Sequence, residues 1–155
     1  MLLAYRLVKL IENHSDGLAR SLYKRYREDP RCSAYVNVPE TELTQRVYEV
    51  YRHLGEWLMA KTETDVEQRY LEIGAKRAEQ GVPASQVIWM ICLVRENLWD
   101  YLQKHAELER PAEIFAEVEL QEMLHQFFDH AMYYAALGHE RTTAGYSPTR
   151  EVVNA

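Results

Sequence analysis

Residues 70–102 read YLEIGAKRAEQGVPASQVIWMICLVRENLWDYL, a stretch that describes two helices joined by a very tight turn. Pro83 opens the second helix without loss, because the N–H that proline lacks would be an orphan at a first helical position. Val87, Ile88, Ile91, Val94, Leu98 and Leu102 then recur every three to four residues on one side, and Trp89 and Trp99 widen that face. In the preceding helix Gly74, Ala75 and Ala78 share a face. Glycine inside a helix costs about 1 kcal/mol against alanine, so Gly74 predicts a close helix–helix approach.

The remaining periodicity is also helical, and no stretch alternates as a strand does. A first helix is expected over 2–12, striped by Leu3, Leu7, Leu10 and Ile11. Ser15 can cap a second, which carries Leu18, Leu22, Tyr23 and Tyr26 and ends at Asp29-Pro30. Residues 31–38 read as a loop, and 39–61 as a third helix with Leu43, Val47, Val50, Leu54, Trp57 and Leu58. Thr64 with Glu67 has the spacing of a capping box and would open a fourth helix running to Gln80. The fifth helix spans 83–105. The last spans 111–137, with Gly138 expected just past its end. Six helices with short joints predict an all-α single bundle over residues 1–140, with 141–155 as a tether.

Composition narrows the function. A net charge of −6 disfavours nucleic acid, whose phosphates need a basic surface. The longest apolar run, 87–94, is far short of the roughly 20 residues of a membrane span. Only Cys32 and Cys92 are present, which is no disulfide framework, so the cytoplasm is the expected compartment. Nucleophile elbow, phosphate-binding loop and H-E-x-x-H motifs are all missing, and no catalytic residue is proposed.

The helix bearing Gly74, Ala75 and Ala78, then G-V-P, then the apolar helix with Arg95 and Trp99, resembles the RsbR/RsbRD-type N-terminal sensory domain. Such domains stand ahead of regulators of the bacterial general stress response and of some sensor histidine kinases. The resemblance implies a globin-like helical fold, a dimer and no haem. It therefore implies a downstream signalling module or regulator protein as partner, and no cofactor.

Two constellations invite chemistry. Glu122 and His125 lie three apart on one helical face, and Asp129 follows one turn later. Di-iron bundles use two Glu-x-x-His pairs, however, and the second is absent here. His125 is expected to be partly buried and hydrogen-bonded. The competing reading is a metal- or haem-binding redox or gas sensor using His125 with Glu122 or Asp129, with His53 as a further haem candidate. Arg95 interrupts the most apolar helix, and with Trp89 and Trp99 it is the best candidate to line a pocket. The reading that results is a non-catalytic sensory and protein-interaction domain. It would signal through helix packing or through a homodimer that involves residues 112–137.

Overall fold

The computed structural model describes residues 2–105 and 111–144, and the part of the expected tether at 145–155 lies outside them. The architecture is all-α. Helices α1 (Leu2–Asn13), α2 (Ser15–Glu28), α3 (Glu40–Arg52), α4 (Glu63–Glu79), α5 (Ala84–His105) and α6 (Pro111–Thr143) form one bundle, with no strand among the described residues. No helix there is long and apolar enough to cross a membrane. The 33 residues of α6 run against α1, α4 and α5, while α2 packs on α3 and α5. The core joins Leu7, Ile11, Leu22, Leu54, Leu98 and Phe128, all nearly inaccessible to solvent. Burial of each such side chain stabilises the fold by about 1.5–3 kcal/mol.

In this interior the Asn97 and Tyr51 side chains find partners. Asn97 donates from Nδ2 to the Leu18 carbonyl at 2.9 Å and to the Tyr51 hydroxyl at 3.2 Å, and accepts from Ser21 at 2.8 Å. Tyr51, fully buried, donates in turn to the Val94 carbonyl at 2.7 Å. One amide thereby ties α5 to both α2 and α3.

The helix pair around Gly81 forms as expected: Gly81 has φ +77°, and the amides of Gln86 and Val87 both donate to the Pro83 carbonyl. Gly74 meets α6 as its cost implied. A Cβ there would overlap the Ala135 carbonyl, 2.8 Å from its carbon. Gly138 departs from expectation. It does not close α6, which continues to Thr143; a Cβ on it would lie 2.9 Å from the Leu71 carbonyl carbon. Glycine is needed at Gly138 because two backbones cross there, and a tight crossing carries the same one-letter sign as a helix end.

Other boundaries shift for local reasons. Residues 31–38 are not a loop: Pro30–Asn37 is a 3-10 segment. Asp29 starts it by accepting from the Arg31 amide at 2.9 Å. Ser15 does not cap α2; His14 occupies the break between helices, and Ser15 is buried in the first turn. The continuous helix expected over 39–61 breaks after Arg52, and Glu56–Ala60 winds as a π turn. Here the Gly55 amide donates to Glu12 of α1 at 3.0 Å, and a tertiary bond has replaced a helical one. The capping box uses Thr62 and Asp65 rather than Thr64 and Glu67. The Asp65 amide donates to Thr62 Oγ1 at 3.2 Å, and the Thr62 amide donates to Asp65 Oδ2 at 2.8 Å.

Candidate functional site

Helices α3 and α4 run antiparallel without packing directly on one another, and two sets of ion pairs bridge them. Near one end Glu42 of α3 receives Arg77 at 2.8 Å and Lys76 at 3.3 Å. Gln80 closes this set, donating to Glu42 at 3.1 Å and accepting from Arg77 at 2.8 Å. Near the other end Glu49 receives Arg69 at 3.0 Å and Arg46 at 3.3 Å. Beneath these bridges lies a cavity of about 60 Å³. Its walls are Leu43, Val47 and Val50 of α3 with Tyr70, Ile73 and Arg77 of α4; α5 and Phe128 of α6 form its floor.

Arg77 is the unusual member, since only 3% of its side chain is exposed. A buried guanidinium is very costly unless paired, and here Glu42 and Gln80 supply the partners. Burial works against a charged Glu42, yet the hydrogen bonds from Arg77 and Lys76 outweigh it and hold its carboxyl below the usual range. At Glu49 burial prevails over Arg46, and the carboxyl is pushed up. The buried Tyr35 hydroxyl is pushed up by burial as well, with the Arg77 guanidinium opposing. The cavity thus has a mostly apolar body, with Arg46 and Glu49 also on its lining, and one end where a cation meets a phenol.

The residues singled out from sequence fall elsewhere. Trp89 donates from its indole to Asp29 at 2.9 Å, and the Arg31 guanidinium sits 3.8 Å over its ring, stapling α5 to the 3-10 segment. Arg95 pairs with Asp129 at 3.3 Å. Arg95, Trp99 and His125 do come together, in a separate groove of about 150 Å³ between α5 and α6. His125 is exposed rather than partly buried, because it projects from the outer side of α6, as do Glu122 and Asp129. Among the described residues no group of three or more His, Cys, Asp or Glu side chains could hold a metal ion. His53 is half-exposed beside Glu56 at 3.7 Å, away from the cavity. A larger, open groove of about 630 Å³ follows the 3-10 segment past Tyr23, Tyr26 and Val36.

Sequence reasoning passed over Arg77 and Glu42. A signal existed: Arg77 follows Tyr70, Ile73 and Gly74 at helical spacing, so a charge falls on the inward stripe of α4.

The sequence of this all-α domain matches a family of regulatory domains. The RsbT co-antagonist protein rsbRD N-terminal domain matches over residues 16–151, and the chain belongs to that family. It is thus an N-terminal domain of the stress-response regulator type. No curated protein and no solved structure matches the chain.

Proposed function

We propose that this is the non-catalytic sensory domain of a cytoplasmic stress-response regulator, with the α3–α4 cleft as its input and α6 as its output. One observation carries the reading. Helix α4 is a wall of the cleft, and it meets α6 backbone to backbone at Gly74 with Ala135 and at Leu71 with Gly138. Any change in the spacing of α3 and α4 therefore reaches α6, from which a downstream signalling module or regulator protein would take the signal. A homodimer through the first half of α6 completes the proposal. Ile114, Phe115 and Val118 lie at least half exposed there, an apolar patch of the sort that marks protein–protein contact.

Glu49→Gln tests the route, because it weakens the bridges to Arg46 and Arg69 without touching α6. Amide hydrogen exchange should quicken in α4 and also in the second half of α6. Faster exchange confined to α3 and α4 would overturn the reading. Light scattering tests the dimer: about twice 18.3 kDa is expected, and 18.3 kDa itself would remove it.

A further inference from the structure

We propose that the α3–α4 cavity binds a short-chain monocarboxylate, with its carboxylate at Arg77 and Tyr35 and its aliphatic end towards Val50, Val94 and Phe128. The inference rests on the reading of this cleft as the input. Three observations on the site point to this chemistry.

Size comes first. A water molecule needs roughly 10–15 Å³ of such volume, so about 60 Å³ admits a ligand of roughly four to six heavy atoms. That is a carboxylate with one to three further carbons.

Charge comes second. Lys76 and Arg77 share a single carboxylate, Glu42, so the set carries one positive charge in excess on a chain whose net charge is −6. Bound inside a low-dielectric cleft, a second carboxylate would make the set neutral. Arginine has five N–H donors in a planar fork, and the hydrogen bonds to Glu42 and Gln80 both come from Nη1. The guanidinium also acts on the Tyr35 hydroxyl, so a carboxylate entering at this end meets a cation and a phenol together.

Shape comes third. Leu43 and Val87 flank the Arg77 end, and beyond them the lining is mostly apolar; its other charges, Arg46 and Glu49, already pair with one another at 3.3 Å. A monocarboxylate satisfies both ends.

Titration of the purified domain with butanoate, followed by methyl and aromatic resonances and by melting temperature, is the test. Butanoate should shift Tyr35, Val47 and Val94 and raise the melting temperature, while uncharged butanamide binds at least about tenfold more weakly. Octanoate should fail to enter. Arg77→Gln should abolish binding. Because that variant could unfold, Val47→Ile provides a second arm: it fills the cavity, keeps the fold and weakens butanoate by at least about tenfold. Equal affinity for acid and amide overturns the proposal. So does no binding by about 10 mM butanoate, or shifts confined to Arg95, Trp99 and His125. The α6 exchange response to Glu49→Gln needs no ligand, so the sensory reading and the ligand class can fail separately.

Discussion

His139 of α6 and Val82 of the α4–α5 joint are tied by a hydrogen bond of 2.6 Å between the imidazole Nε2 and the backbone carbonyl. A carbonyl only accepts, so Nε2 bears the hydrogen. Both residues are buried. The bond fastens the far part of α6 to the short turn between α4 and α5, next to Gly81 in its left-handed conformation.

Replacing His139 by alanine should strand the Val82 carbonyl, at a cost of about 1–3 kcal/mol. Denaturant midpoints measure the loss. Hydrogen exchange should locate it at residues 81–83 and at the end of α6. An unchanged midpoint would show that the joint holds without this bond.

Three of the helical glycines, Gly17, Gly74 and Gly138, should respond to alanine with opposite signs. Gly74→Ala and Gly138→Ala force a methyl group onto a backbone carbonyl, and each should destabilise the domain by at least about 1–3 kcal/mol. Gly17 lies exposed in α2, where an added Cβ comes no nearer than 3.9 Å to the Arg20 side chain. There alanine should stabilise by about 0.5–1 kcal/mol, since it restricts the unfolded chain without crowding the fold. Thermal melts of the three variants decide the matter.

Tyr51→Phe keeps the ring in the core but removes both the donor to Val94 and an acceptor for Asn97. A loss of about 1–3 kcal/mol is expected in urea unfolding. Asn97→Leu should cost more, because it removes the amide's bonds to the Leu18 carbonyl and the Tyr51 hydroxyl and leaves Ser21 without its acceptor.

Alkaline pH should weaken the fold. Burial pushes the Cys32 thiol from 9.0 to about 12, and the Tyr26 hydroxyl from 10.0 to about 12. Burial also raises Tyr51 and Tyr70. Between these values the unfolded chain has released protons that the native state still holds, so stability must fall as pH rises. Below pH 9.0 this contribution is fully present. Urea midpoints should be level from about pH 7 to 9 and decline steadily above it. A flat profile to about pH 11 would mean that these groups are reached by solvent in the native state.

The helices were legible in the sequence because apolar spacing is a local signal, and Pro83 and Gly81 punctuate it without ambiguity. What stayed hidden depends on partners distant in the chain. Nothing near Gly55 announces that Glu12 will take its amide, so the break after Arg52 could not be read. Thr62 and Thr64 both begin plausible capping boxes, and only the fold chooses between them. Arg77 sits in a run of charges, and its burial follows from Glu42, thirty-five positions away. The cleft itself is a space between α3 and α4, and a space leaves no mark on either strip of sequence.

The amide of Asn97 also settles a question that the apolar stripe of α5 leaves open. Val87, Ile91, Val94, Leu98 and Leu102 are of similar kind and recur at nearly even spacing. Sliding α5 by one turn would therefore put an aliphatic residue back into almost every seat. It would also put Val94 or Tyr101 where Asn97 now meets the Leu18 carbonyl, and leave the amide facing hydrocarbon. Such a slip exchanges satisfied hydrogen bonds for stranded ones, and the helix has one permitted axial setting. Oil alone would allow several bundles of nearly equal energy; one polar side chain picks the register.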